Sequence, residues 1–382
     1  MTTFGTSYAD AGVDIDIEEK AAKIMYEAAK QTWSARKGKL GDVIVPFDDF
    51  SGIRAIEIGG LPQGTMLNIG FDGVGTKAEL AMLSGKYDTL AYDLVAMVCD
   101  DAVVRGAEPV LLGSILDTNS LGKDQSRLTV IQELAKGYVL AAQEANVAII
   151  NGEIAQLGDL VGGGDKFGFN WGSALVWFAH KDKMITGHNI KVGDSIVGLR
   201  EPGFRSNGFS LLRKVLKDAF GDGWIHEKLD GESLLSLALK PSIIYSKPVV
   251  EMFGGADPAI PAKVDLHGVA HITGSGLPGK LGRALKPSGL GARISDPFSP
   301  SPLMLYCQQL GGVSDQEAYR TWNMGQGMVL VTPQPDEAIK IAKSHALEAK
   351  IIGEITKTPE ISIANQALNK TKEPWLNFEI SQ

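Results

Sequence analysis

A chain of 382 residues with 44% hydrophobic and 21% charged residues is that of a folded globular protein, and its length favours two domains over one core. A net charge of −8 gives no basis for nucleic-acid binding, which needs clustered Lys and Arg, and two cysteines, Cys99 and Cys307, each inside an apolar run, supply neither a disulfide framework nor a metal cluster. No apolar run approaches the roughly 20 residues that span a bilayer, and the first residues are acidic without an apolar core, so a cytoplasmic protein with no membrane partner is expected.

In chain order, Glu18 to Lys30 has the spacing of an amphipathic helix, broken by Lys37-Gly38-Lys39-Leu40-Gly41. Met66 to Phe71 reads as a strand and Ala78 to Leu83 as a helix, with Asp72-Gly73-Val74-Gly75-Thr76-Lys77 as the tight turn between them. Tyr92 to Arg105 reads as a helix ended by Gly106 and Pro109, Val110 to Leu116 as a strand and Leu128 to Glu144 as a helix. A short strand, Val147 to Ile150, is expected to stop at Asn151-Gly152-Glu153; a glycine-rich loop follows, and then a strand from Trp171 to Ala179. Polar and glycine residues near Lys181 to Gly193 mark a domain boundary. Beyond it come a strand at Ser195 to Leu199, a helix at Phe209 to Phe220, a loop and helix from Gly268 to Leu285, and a strand at Gly327 to Thr332. The sum is a mixed α and β chain in two successive domains.

The turn at Asp72 to Lys77 carries the clearest chemistry. Two glycines let the backbone approach a bulky anion, a helix N-terminus presents free N–H groups to it, and Asp72 could hold the metal that accompanies a polyphosphate. The spacing is not that of a Walker A loop, and a plain glycine turn with a surface Lys is the alternative. On the helix from Tyr92 to Arg105, a count at 100° per residue puts Asp101 within the apolar stripe. It is therefore expected either to hold a metal or to pair with Arg105 four residues on. Glu153 follows a strand end, where it could complete a set of three hard oxygen ligands with Asp72 and Asp101 for Mg²⁺, or be a solvated turn residue. In Arg205-Ser206-Asn207-Gly208, Ser206 or Asn207 could cap the next helix, and Arg205 could add phosphate binding. The pair His267 and His271 lies in a glycine-rich segment read as a loop without a zinc site, and Arg320 to Gly327 is a further glycine-punctuated turn.

Taken in order, SYADAGVDID at Ser7 to Asp16, FDGVGTK at Phe71 to Lys77, YDLVAMVCDDAVVRGAEP at Tyr92 to Pro109, NGE at Asn151 to Glu153, RSNGFSLLRK at Arg205 to Lys214, HGVAHITGSG at His267 to Gly276 and YRTWNMGQGM at Tyr319 to Met328 cover most of the chain. This ordered set resembles the aminoimidazole ribonucleotide synthetases, or phosphoribosylformylglycinamidine cyclo-ligases. The resemblance implies an α+β fold of two domains, 1–183 for ATP, metal and dimerisation and 184–382 on the substrate side. It also implies a homodimer whose N-terminal sheets form a shared β-barrel, with a C-terminal α/β domain. The implied reaction consumes formylglycinamidine ribonucleotide and ATP with Mg²⁺ and gives aminoimidazole ribonucleotide, ADP and phosphate. By the same resemblance, Lys77, Asp101, Glu153 and Arg205 are catalytic, Asp14, Gly73, Gly75, Thr76 and Lys77 bind ATP, Ser206, Asn207, Thr273 and Gly274 bind substrate, and Asp72, Asp101 and Glu153 bind metal.

The chain departs from the family pattern, which has His at Arg205, Asn at Asp100, a second acidic residue at Gln156, Asp at Phe169 and glycine at Ser275. Arg205 stays protonated and cannot serve as a base. Two alternatives therefore stand beside the cyclo-ligase: a divergent ATP-dependent amide- or phosphate-activating enzyme on the same scaffold, and a non-catalytic dimeric relative.

Overall fold

The computed structural model describes residues 15–45, 54–122, 126–163 and 166–380. Its contacts divide the chain into two compact units: the first comprises 1–61, 68–98 and 109–177, and the second 62–67, 99–108 and 178–382.

The first unit opens with α1 (Ile15–Lys30) and the short pair β1 (Val43–Ile44) and β2 (Ala55–Ile56). Next come β3 (Thr65–Gly73), α2 (Lys77–Ser84), α3 (Leu90–Val103), β4 (Ala107–Thr118), α4 (Ser126–Ala145), β5 (Ala148–Gln156) and β6 (Phe169–His180). β3, β6, β4 and β5 form a four-stranded sheet in that order, with β4 and β5 parallel. On its covered face, Trp171 and Tyr138 meet edge to face with ring centroids 5.2 Å apart, and α1 packs on α4 through Ala28, Ala135 and Val139. The opposite face is open, and small residues, Gly113, Gly152, Gly172 and Ala174, keep it shallow.

β5 differs from the sequence expectation. It continues through Asn151-Gly152-Glu153 to Gln156, because the register with β4 shifts between Leu112 and Gly113: Leu112 pairs with Ile149, but Gly113 pairs with Asn151. Ile150 is thereby a bulge, and Glu153 sits opposite Ile115 within the sheet rather than on a turn.

The second unit is built on a seven-stranded sheet. Its chain runs β7 (Ser195–Arg200), α5 (Phe209–Phe220), β8 (Lys228–Leu229), β9 (Glu232–Ser233), α6 (Leu234–Ala238), α7 (Ser246–Phe253), β10 (Gly268–His271), α8 (Gly276–Leu285) and β11 (Gly291–Ile294). It continues with α9 (Pro302–Gly311), α10 (Asp315–Thr321), β12 (Gln326–Thr332), α11 (Pro335–Ser344), β13 (Ala349–Thr356), β14 (Glu360–Ala364) and β15 (Trp375–Glu379). The sheet order is β10-β12-β7-β13-β11-β14-β15, antiparallel except for the parallel pair β11 and β14. Val197, Leu199, Met252, Phe253, Val269, Met328 and Leu330 belong to its core, with β12 buried along its whole length. His267 precedes β10 and His271 is its last residue, in a strand where the glycines had suggested a loop.

Candidate active site

Gly73 and Gly75 shape the turn in two ways. Val74 N–H donates to Trp171 O at 3.1 Å, which pins the turn against β6 so closely that a Cβ on Gly73 would meet Trp171 O at 3.0 Å. Gly75 takes φ +57°, the left-handed conformation that glycine adopts cheaply. Thr76 is the N-cap of α2, makes no side-chain capping bond and is exposed. The turn therefore offers Thr76 and its backbone to an anion.

This turn borders a cavity of about 730 Å³ on the open sheet face, lined among others by Phe71, Asp72, Gly73, Gly75, Asp117 and Glu153. Asp72 and Glu153 thus line the same cavity. Asp117 joins them and was missed; the signal was the alternation of β4, in which Ile115 and Asp117 point away from the buried Ser114, Leu116 and Thr118. The three line one cavity without forming a three-ligand metal cluster among the described residues, so a hard cation there would draw most of its shell from phosphate and water, as Mg²⁺ commonly does.

Two expectations at this site are corrected. The Lys77 side chain does not face the anion: it is fully buried and its Nζ lies 2.7 Å from Asp93 Oδ1, itself 1% exposed. Lys77 is the first residue of a helix whose inward stripe also holds Ala78, Leu80 and Ala81, so its side chain is carried into the core and needs an internal counter-charge. The expectation that Asp101 turns inward is not met either; Asp101 belongs to the second unit, whereas Asp72 and Glu153 belong to the first. The helical count had failed: α3 is buried on nearly every side, so it lacks the wet face that sets the phase, and Asp100 is the fully buried residue whereas the Asp101 side chain is 52% exposed.

Within the second unit Asp100 and Asp101 meet Arg205. The Arg205 guanidinium is fully buried; Nη1 donates to Glu201 Oε2 at 2.8 Å and to Ile243 O at 3.0 Å, and Nη2 lies 2.8 Å from Asp100 Oδ2 and 2.7 Å from His271 Nε2. It stacks over the Tyr245 ring at 5.2 Å, and Tyr245 in turn donates its N–H to Asp100 Oδ1 and its hydroxyl to Arg200 O and Glu201 Oε2. His271 Nδ1 is 2.6 Å from Asp101 Oδ1. Arg205 itself has φ +57°, a costly conformation for a residue with a Cβ.

Burial dominates the electrostatics here. It pushes the Asp100 carboxyl up to about 7 against the opposing pull of Arg205, and it raises Glu201 in the same way. Burial and the Arg205 charge bring His271 down to about 4, with Asp101 opposing. At Asp101 burial acts upward, but the His271 hydrogen bond and the nearby Lys280 and Arg205 charges outweigh it and lower the carboxyl. The expectation of Arg205 as a phosphate ligand or catalytic group is corrected: its charge is already matched by two carboxylates inside the core.

The loops expected to touch substrate come together in the second unit. Asn207 Nδ2 lies 3.8 Å from where a side chain on Gly274 would begin, and Thr273 beside it is buried. Neither Ser206 nor Asn207 caps α5, whose N-cap is Gly208 at φ +77° with no side-chain bond. Ser206 Oγ and Asn207 Oδ1 are buried with no hydrogen-bond partner among the described residues. Of the departures, Phe169 is buried against Phe167 and Tyr87, and Gln156 donates to Glu18 Oε2 at 2.7 Å. Asp14 lies outside the described residues.

The two units and their sheets define the class, that of the AIR synthase related proteins: the family's N-terminal domain matches residues 54–168 and its C-terminal domain residues 191–364. The fold is shared with the crystal structure of E. coli HypE at a TM-score of 0.59, with 14% identity over 91% of this chain and 93% of that one. Within the class, the chain is 36% identical to the phosphoribosylformylglycinamidine cyclo-ligase of Pyrococcus furiosus over 94% of its length and 98% of the relative's. It is 34% identical to that of Methanocaldococcus jannaschii over 98% and 99%. The chain belongs to the phosphoribosylformylglycinamidine cyclo-ligase family.

Proposed function

We infer that the chain is a ligase of purine biosynthesis that uses ATP to cyclise formylglycinamidine ribonucleotide to aminoimidazole ribonucleotide, releasing ADP and phosphate. The observation that carries the reading, within a family matched over nearly the whole chain, is the open-face cavity where the glycine turn meets Asp72, Asp117 and Glu153. The reaction needs such a place. An amide oxygen leaves poorly; once it accepts the terminal phosphoryl group of ATP, the amidine nitrogen attacks the same carbon, phosphate departs and the nitrogen gives up its proton.

The backbone at Gly73 to Thr76 cradles the polyphosphate, with Gly73 and Gly75 allowing close approach. Mg²⁺ would be held by Asp72 and Glu153 and would offset charge on the transferring phosphoryl group. Ser206 and Asn207, with buried unpartnered oxygens, and the adjoining Thr273 and Gly274 are the groups for the acceptor. The first unit is the nucleotide side and the second the substrate side. A homodimer is supported by the exposed apolar side chains Ile69, Phe71 and Ile115 on the four-stranded sheet, 46%, 72% and 54% accessible. Among the described residues no helix is long and apolar enough to cross a membrane, in keeping with a cytoplasmic enzyme.

The test is incubation of purified protein with formylglycinamidine ribonucleotide, Mg²⁺ and ATP. ADP and the aminoimidazole product should appear in equal amounts. ADP release with a different acceptor, and none with this one, would replace the reading by that of a divergent activating enzyme.

A further inference from the structure

The second unit carries a cationic cleft whose residues take no part in the reaction proposed above. It runs along one face of α8, has a volume of about 570 Å³, and is lined among others by Ser275, Gly282, Arg283, Lys286, Arg320 and Glu379. Arg283 and Lys286 lie three residues apart at the C-terminal end of that face, and Arg320 enters from the last turn of the neighbouring α10. All three cations are exposed, and none forms an ion pair among the described residues. Glu379 is the one carboxylate of the lining. Elsewhere exposed lysines are matched by an acid at close range, as in Lys214 with Asp218 and Lys263 with Glu251. A local excess of positive charge therefore stands out in a chain of net charge −8. The Arg320 guanidinium lies over the buried Phe378 ring, 5.7 Å from its centroid, which holds its plane against a fixed surface and leaves its N–H edge outward. At the other end of the cleft, Ser275 stands where the family pattern has glycine. It pays for the left-handed φ of +75°, and its exposed hydroxyl makes no capping bond to α8.

We propose that this cleft binds a small phosphate monoester, with the phosphate group held by Arg283, Lys286 and Arg320. A phosphate monoester carries nearly two negative charges at neutral pH and three strong acceptor oxygens, which three cations opposed by a single carboxylate can match. Two of the three are arginines, whose planar fork takes two phosphate oxygens at once. The volume lies in the range of small-molecule sites and exceeds what a bare ion fills, and Gly282, without a side chain, leaves room for the organic part of the ligand. A nucleic-acid strand would need a longer stripe of cations than this concave patch offers. Every residue of the cleft belongs to the second unit, so the proposal holds whether or not the glycine turn of the first unit binds ATP.

The test is calorimetric titration of the purified full-length protein with ribose 5-phosphate, and in parallel with ribose and with inorganic phosphate. Wild-type protein should bind the ester more tightly than inorganic phosphate and should not bind ribose. Arg283→Gln and Arg320→Gln should each weaken binding of the ester roughly tenfold, as loss of a charge-assisted hydrogen bond commonly does. Arg320→Lys, which keeps the charge but not the fork, should recover part of that loss. Glu379→Gln removes the opposing carboxylate and should tighten binding by roughly threefold, a gain that a merely structural role for these side chains would not produce. Because the substituted side chains are exposed, the unfolding midpoints should stay at the wild-type value, which keeps a loss of binding distinct from a loss of fold. No binding of ribose 5-phosphate by the wild-type protein would overturn the proposal. Unchanged affinity in the Arg283→Gln and Arg320→Gln double variant would do the same, because the ester would then sit elsewhere. Inorganic phosphate bound as tightly as the ester would reduce the cleft to an adventitious ion only.

Discussion

The glycine turn of the first unit and the Arg205 cluster of the second use the same residue types, Asp, Glu and a cation beside glycines, to opposite ends. At the turn the cation Lys77 is drawn inward to Asp93 while Asp72, Asp117 and Glu153 remain on an open cavity. At the cluster the carboxylates Asp100 and Glu201 are drawn inward around Arg205, and a single one, Asp101, keeps an exposed side chain. Which charges are left for a ligand depends on which ones the core has already neutralised. A carboxylate next to a basic residue in sequence says little about either outcome.

The contrast is sharpest if the cluster is broken. Arg205→Met strands two buried carboxylates and should cost about 3–5 kcal/mol of stability, read from urea unfolding; a loss of turnover at unchanged stability would place Arg205 in an open site after all. Next in size, Lys77→Met should destabilise by about 3 kcal/mol, and Lys77→Met with Asp93→Leu should regain most of it while still binding ATP. If the double variant is stable but no longer binds ATP, the ammonium serves the phosphate and not the core.

Glu153→Gln removes charge from the open cavity and should leave the unfolding midpoint within about 0.5 kcal/mol of wild type, as expected of an exposed position. Its kcat/KM should drop by roughly 100-fold, or about 2.7 kcal/mol of transition-state stabilisation. Equal loss of stability and activity would make Glu153 a sheet residue only. The last contrast is the pH dependence of stability, where two opposing shifts offset each other in the wild-type protein. Asp100, raised to about 7 in the fold, binds a proton there between its unfolded value of 3.8 and 7, so its contribution declines as pH rises through that window. His271, lowered to about 4 from 6.5, acts the other way and costs stability as pH falls through its window. Melting temperatures from pH 4 to 7 should therefore rise more steeply with pH in Asp100→Asn than in wild type; parallel profiles would mean that Asp100 is ionised throughout.

Much of the secondary structure could be read directly. The helix at Phe209 to Phe220 has the bounds expected from its spacing, and the strand before the glycine turn and the helix after it extend only slightly beyond theirs. Glycine positions were informative for the same local reason, since Gly75 and Gly208 take positive φ. Periodicity failed where burial was uniform. α3 is buried on nearly every side, so a count of angles exchanged Asp100 for Asp101. It also failed at β5, where a bulge at Ile150 carried the strand on to Gln156 and put Glu153 in the sheet. Helix capping misled as well, because Gly208 took the cap and left the Ser206 and Asn207 oxygens unpartnered.

The sequence by itself determined the alternation of strands and helices, the two-domain family and the glycine turn between the strand and the helix, because these depend on local backbone preference and on the order of motifs along the chain. Tertiary structure alone decided which ionisable groups are open to a ligand. Lys77 found Asp93 16 residues away, Arg205 found Asp100 at a separation of 105, and His271 found Asp101 at 170. Desolvation makes such partners necessary once a charge is buried, and burial is a property of the packed chain that no local window contains.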